Sequence, residues 1–494
     1  MNISDQLWFK FLPNSTNFSW YHPHKLVVPK ETLIYARDLV SLFPSNTTQL
    51  KIDIPVNTPL DTLPSNLTRL EITNYFNQPL SLSSFTSLTH LRLGHHFNHP
   101  VDSLPPSLLH LELGNSFNLP LLNLPQSLIH LTFGFQFCQD VSHLPPSLTY
   151  LDLGNRFNLS VDNLPPSLQT LKLGYDFNQP VDHLPPSLTY LSFYSKFDHP
   201  VDNLPPHLKF LIIHTIFNQP VDHLPPTLTH LEVNGVNFNQ PVDKLPLTLT
   251  HLVVGTDFNH PLTQLPPNLQ SLTVLSTHNM KIQNLPLSLR KINIKHNTVL
   301  ACPVDSLHNL TTLRVSRYAH SYSQFPSSLT RLEIYHPGNQ DVDSLPPSLL
   351  SLELDYFAAP VDHLPSSLTK LSLGHLFNLP IDNLPSGITW LKVGDSFNQP
   401  VDNLPHSLTY LKLGREFNCS IDNLPLLLTE LNLGTEFNHP IDHLPPHLIS
   451  LNFAYPGDMK FNHPLDYLPE SLQTLTMVTT RKFSYPIDHL PFLR

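Results

Sequence analysis

Leucine recurs along this chain in the frame L-x-x-L-x-L, as at Leu168, Leu171 and Leu173, and the frame returns about every 20 residues from near residue 60 to the end of the sequence. Apolar residues at alternate positions put Leu171 and Leu173 on one face of a short strand and their neighbours on the other. Phe97, Phe117, Phe137, Phe157, Phe177, Phe197 and Phe217 each lie 20 residues beyond the one before, so a large ring enters every unit at the same place. The stretch 171–190 reads LKLGYDFNQPVDHLPPSLTY, and 391–410 repeats it as LKVGDSFNQPVDNLPHSLTY. A unit this short cannot bury its apolar face alone, so the pattern predicts a stack of units in which like residues form columns.

The period belongs to the leucine-rich-repeat class, and the predicted fold is a repeat solenoid: a right-handed parallel β-solenoid, elongated and curved, of roughly twenty coils. Within one unit, Gly174 is expected to take the positive φ of a sharp turn. Phe177 stacks on the rings above and below, and Asn178 forms a rung of an amide ladder that satisfies the corner backbone. The return leg Pro180 to Leu188 carries prolines that forbid a long helix or a central strand, so it should be irregular or polyproline-like with at most a single helical turn. The repeated Asp162, Asp182, Asp202 and Asp222 resemble a calcium-binding carboxylate ladder, but their fixed place before Leu-Pro favours caps that accept local backbone N–H groups.

The period organises residues 46–494 and is missing from residues 1–45, where Leu7 to Pro13 is apolar and Glu31 to Val40 has helical spacing. An N-terminal cap, part helical, would shield the first strand edge of such a stack. Residues 275–340 are irregular: the Gly is missing, Phe is replaced by His278 and later by Thr298-Val299, while Leu272, Ile292, Leu313 and Leu332 keep the strand frame. A bulge or kink within a continuous solenoid is expected there, with a domain boundary as the alternative. The chain stops halfway through a unit, which leaves the strand around Leu475 to Met477 as an edge for a cap or for end-to-end dimerisation of an otherwise monomeric protein.

Composition narrows the partners. The formal net charge is −11 with histidine neutral, which removes the basic footprint of a nucleic-acid binder. No window approaches 18 apolar residues, so no membrane-spanning helix is expected, and the start lacks a secretory signal. Cys138, Cys302 and Cys419 are odd in number and far apart, as reduced thiols in a cytosolic or nuclear compartment would be. The 30 histidines, if protonated together, would reverse the sign of the net charge and make a pH sensor. The simpler reading is that they occupy tolerant exposed positions such as His143, His183, His223 and His363.

Phosphate-loop, dinucleotide, nucleophile-elbow, zinc-protease and C-x-x-C motifs are all absent, so neither an enzyme nor a cofactor or metal site is expected. Phe177-Asn178-Gln179-Pro180 and the L-P-P-S-L-x-x-L-x-L run resemble the FNIP repeats, leucine-rich-repeat relatives found in arrays in social amoebae and in giant viruses of amoebae. The resemblance covers about nine-tenths of the chain and implies the fold more than an activity, in the cytoplasm of an amoeba or of a virus-infected host. Some relatives carry an N-terminal F-box. Leu12-Pro13 is similar to an F-box start, whereas Asn14 to Trp20 is polar where the first F-box helix needs leucines.

The expected function is a non-catalytic protein-interaction scaffold presenting a long concave sheet, the alternative being a ubiquitin-ligase substrate receptor with residues 1–45 as the adaptor-binding segment. The residues that flank the core leucines would carry binding: Tyr150, Tyr190, Phe210, Trp390, Lys392, Tyr410 and Lys412. Phe177→Asp tests the ring column, since it buries an unpaired charge. Thermal denaturation should show a large loss of stability, and an unchanged melting temperature would refute the column.

Overall fold

A computed structural model describes residues 25–28, 47–52, 63–72, 75–214, 216–338, 340–453, 459–477 and 484–485. The expected helix at Glu31 to Val40 and the apolar run Leu7 to Pro13 lie outside them. The protein is a parallel β-solenoid of about twenty coils, and it divides into two compact units, 1–257 and 258–494.

In the first unit, strands from Lys25–Val28 to His251–Val254 pair in parallel, each with the next in sequence. The strand Lys25–Val28 joins Gln49–Ile52, so the sheet starts before the period is visible in the sequence. The register places Leu111 on Leu131, Leu131 on Leu151 and Leu151 on Leu171. These leucines are fully buried, because alternation along each strand turns them all inward. In the second unit the strands run from Ser271–Val274 to Thr474–Met477 in the same arrangement. The one helical element among the described residues is the 3₁₀ turn Tyr322–Gln324.

The ring column forms as expected. From Phe76 to Phe238 successive phenylalanines in the first unit have centroids 6.0–6.4 Å apart and planes within 18° of parallel. Phe357 to Phe461 repeat the column in the second unit at 6.1–6.4 Å. This is offset stacking, and each buried ring contributes about 2 kcal/mol. Beside it runs the amide ladder. Asn178 N donates to Asn158 Oδ1 at 2.8 Å, Asp198 N donates to Asn178 Oδ1 at 3.1 Å, and Asp198 Oδ1 accepts from Asn218 N at 2.9 Å, so the carboxylate of Asp198 serves as well as an amide. Cys138 N donates such a bond to Asn118 Oδ1, but its side chain has no oxygen to offer the next coil.

The return leg is irregular, as expected, and closes in a tight turn. Leu188 N donates to Pro185 O at 3.1 Å, closing a turn with Pro186 at the position where a preset φ helps. Ser187 Oγ then donates to Leu168 O, 2.7 Å away in the preceding coil, and the bond recurs at Ser147, Thr227, Ser348 and Ser407.

Three expectations are corrected. Gly174 does not have a positive φ; Gly154 and Gly338 are the glycines that do among the described residues. Gly174 is glycine because a Cβ there would lie 1.7 Å from Gly154 O in the coil before. The Asp column works mainly across coils instead of capping its own turn. Asp182 accepts from Asn203 at 3.0 Å, Asp222 from Lys244 at 3.0 Å, and Asp202 lies 3.2 Å from His223 Nδ1. Local backbone caps occur at Asp140 and Asp341. Finally, His278 does not take the place of a phenylalanine, being exposed, while Ser276 and Met280 on either side are buried. Ser276 Oγ donates to Phe258 O at 2.6 Å, and Thr298 Oγ1 donates to His278 O at 2.7 Å, so hydroxyls cover carbonyls where the ring is lost.

The expected bulge within 275–340 is present. Lys291–Leu300 and Thr312–Tyr318 are unusually long strands whose register shifts between Ile294 and Val299. Gly174→Ala tests the close approach: it should cost about 1–3 kcal/mol by chemical denaturation, as overpacking does. Gly387→Ala, whose Cβ would meet nothing nearer than 3.6 Å, should be near neutral.

Candidate protein-interaction face

The outward residue at the start of each strand falls in one column because the register is unbroken. In the first unit this column reads His90, His110, His130, Tyr150, Thr170, Tyr190, Phe210, His230 and His251. Its rings stack. His90 and His110 have centroids 4.2 Å apart, His130 and Tyr150 4.0 Å, Phe210 and His230 4.3 Å, and His230 and His251 4.1 Å. Thr170 interrupts the column, and Tyr190 lies 6.0 Å from Phe210 at a tilt of 34°. All nine are half-buried, packed on one side and open on the other. Lys172, one column along, places its ammonium 5.4 Å from the Tyr150 ring centre.

The second unit has a shorter, more cationic version. Trp390 and Tyr410 are register partners stacked at 4.8 Å with planes 10° apart. Lys370 Nζ sits 4.2 Å above the Trp390 ring, a cation–π contact. Lys392 and Lys412 are also register partners, so two ammonium-bearing chains stand side by side on adjacent strands. Burial and the nearby Glu430 carboxylate push the Tyr410 hydroxyl above its usual range.

The seven residues expected to bind thus form two groups, Tyr150, Tyr190 and Phe210 in one unit and Trp390, Lys392, Tyr410 and Lys412 in the other. The histidines that flank the first group in its column were not among the residues expected to bind. His110, His130 and His230 were legible as outward positions, but their ring stacking depends on the aromatic character of the next residue in the column, 20 or 21 places away. The exposed histidines are more constrained than expected: His183 and His363 face Asp162 and Asp343 of the coil before at 3.5 and 3.2 Å. Asn203, Lys244 and His223 can replace one another there because each can donate to the carboxylate. Among the described residues no three His, Cys, Asp or Glu side chains are placed to hold a metal ion, and no helix is long and apolar enough to cross a membrane.

The FNIP Repeat family model matches residues 86–116, 97–136, 140–176, 177–215, 358–396, 377–416 and 397–426. The giant-virus protein CroV588, described as a novel circular leucine-rich-repeat structure, is 31% identical over 90% of this chain and 81% of its own, with a TM-score of 0.61. The chain belongs to the FNIP repeat family. YopM from Yersinia enterocolitica WA-314, which superposes with a TM-score of 0.53, is 26% identical over 75% of this chain and 83% of its own. No curated protein matches the sequence. The FNIP signature residues are the buried and turn positions, Phe177, Asn178, Pro180 and Leu188, so membership accounts for the columns inside and leaves the outward columns free to vary.

Burial lowers the pKa of His90, His110 and His130, and neighbouring charges act on the same groups, with Arg69, Lys172 and the other imidazoles lowering and Glu112 raising it. The unfolded chain takes up these protons near the ordinary value of 6.5, before the folded stack does. Stability carried by the stack is therefore present above pH 6.5 and lost as pH falls below it. Melting temperatures measured at about pH 7.5 and 5.5 should show this decline, and His130→Gln should reduce it; a variant with the same pH dependence as the parent would show that the stack is not its source.

Proposed function

We propose that this FNIP repeat protein is a non-catalytic scaffold that binds a protein partner through the outward face of its sheet. The observation that carries the reading is the contrast between the columns. Inward leucines and phenylalanines repeat almost without change, whereas the outward columns vary and still place part-exposed aromatic rings in contact, as at Trp390 and Tyr410 with Lys370 and Lys392 beside them. Aromatic residues flanked by charge are the side chains that anchor protein interfaces, because a large ring adds buried area at small conformational cost. Leucine-rich-repeat folds commonly serve as interaction scaffolds, and a repeated sheet lets each coil supply one contact of a long site.

Trp390→Ala with Tyr410→Ala is the test. Stacking of the pair contributes about 0.5–1.5 kcal/mol beyond burial, so folding should survive their removal. Quantitative affinity purification with the parent and the double variant should yield proteins retained by the first and lost, by about tenfold or more, from the second. Identical retained sets would overturn the reading, and a collapse of the melting temperature would show the rings to be core.

A further inference from the structure

The largest departure from the repeat leaves an open hollow of about 670 Å³ in the second unit, over the strands Lys291–Leu300, Thr312–Tyr318, Arg331–Ile334 and Ser351–Leu354. Its floor is the outward column Asn293, Arg314, Glu333 and Glu353, which continues in register through Ser372 to Lys392. The hollow therefore lies on the same sheet face as Trp390 and Tyr410. Two features make it: the repeat Gly is missing from these coils and the repeat Phe from the first three of them, and the register shift after Ile294 displaces one wall.

The charges in the hollow are unequally matched. Glu333 is held by Arg314 Nε at 2.8 Å and by Arg331 Nη2 at 2.6 Å. Glu353, the next carboxylate along, is half-buried and makes no hydrogen bond or ion pair with any described residue. Asp355 accepts backbone N–H groups from Tyr356 at 3.2 Å and His375 at 3.4 Å and meets no cation among the described residues. Lys295 stands at the far side, three strand spacings or roughly 14 Å away, beyond the range at which an exposed charge is felt strongly. Aromatic rings close the acidic end: Tyr335 lines the hollow, and Tyr356 packs perpendicular to it at 5.3 Å.

A second observation points to a missing ligand. Ser316 is 2% exposed, lines the hollow, and its Oγ has no hydrogen-bond partner. It lies two residues beyond Arg314 on the same strand, where the alternation of buried and exposed residues breaks and the register shifts. A buried hydroxyl left unpaired is costly, and native proteins rarely keep one without a bonding group. Tyr356 and His296, on opposite sides of the hollow, hold positive φ values of 45° and 59°, the kind of stored strain that gathers at binding sites.

We propose that the hollow is a socket for an arginine side chain of a protein partner, an inference that rests on the sheet face being the binding face. A guanidinium supplies two parallel N–H donors for a carboxylate, leaves further N–H groups to reach Ser316 Oγ, and presents a flat cationic face to Tyr335. Glu353 and Asp355 are the carboxylates that receive it. Glu333, already neutralised by two arginines, sets the position of the socket.

The test is fluorescence anisotropy of the full chain at physiological salt with a labelled eight-residue peptide alternating arginine and serine, against peptides carrying glutamate or lysine in place of arginine. The arginine peptide should bind best, and E353Q and D355N should each weaken it about tenfold. S316A should weaken it without lowering the melting temperature, because it removes a hydroxyl that is unpaired in the free protein. E112Q, a carboxylate change on the sheet face of the first unit, should leave binding unchanged. Preference for the glutamate peptide, unaltered binding in E353Q and D355N, or an equal loss in E112Q would overturn the socket. If the arginine peptide fails while Trp390→Ala with Tyr410→Ala still releases partners, the socket alone is wrong; if neither has an effect, the binding face is wrong as well.

Discussion

Each coil is closed by bonds to the coil before it, and the proline-rich return leg makes those bonds a necessity. A proline has no N–H to give, so a leg built on L-P-P-S-L leaves carbonyls that a sheet ladder cannot reach. The serine hydroxyl of the same motif covers them, as Ser187 does for Leu168 at 2.7 Å. Asn178 does the complementary service on the other corner by accepting the N–H of Asp198. With the two corners bonded at spacings of 19 and 20 residues, the leucines and phenylalanines have no freedom to slip, since a shift of one residue would turn every strand inside out.

A fold maintained this way separates stability from recognition. Inward positions answer to the coil above and below, which is why Leu111, Leu131 and Leu151 are the same residue with the same burial. Outward positions answer to solvent and to one another across a single strand spacing. There the protein stacks His130 on Tyr150 and Trp390 on Tyr410, rings that are half-covered and half-available. The carboxylate column shows how loosely the exposed positions are specified: Asn203, His223 and Lys244 all serve because each can give a hydrogen to the aspartate before it.

The places where the period fails are the places with individual chemistry. Between Ser276 and Tyr356 the glycine and ring columns lapse, two strands lengthen and their register slips. Hydroxyls of Ser276 and Thr298 repair the interior, while on the outward side the loss of regular packing leaves the hollow with Glu353 and Ser316 in it. Repetition alone could not make such a site, because identical coils offer identical surfaces. Irregular coils within a regular sheet give one location a charge pattern and shape found nowhere else among its neighbours.

The parallel solenoid, the inward leucines, the ring and amide columns, a bulge within residues 275–340 and the outward place of Tyr150, Trp390 and Lys392 were all legible in the residues. Each depends on spacing, and spacing is what a chain states openly. Whether Gly174 is required for its φ or for the carbonyl of Gly154 pressed against it, whether Asp182 bonds its own turn or Asn203, and whether Glu353 finds a cation while Glu333 finds two depended on distances between coils. Those distances follow from how the coils stack, and contacts made across that stacking exist only in three dimensions.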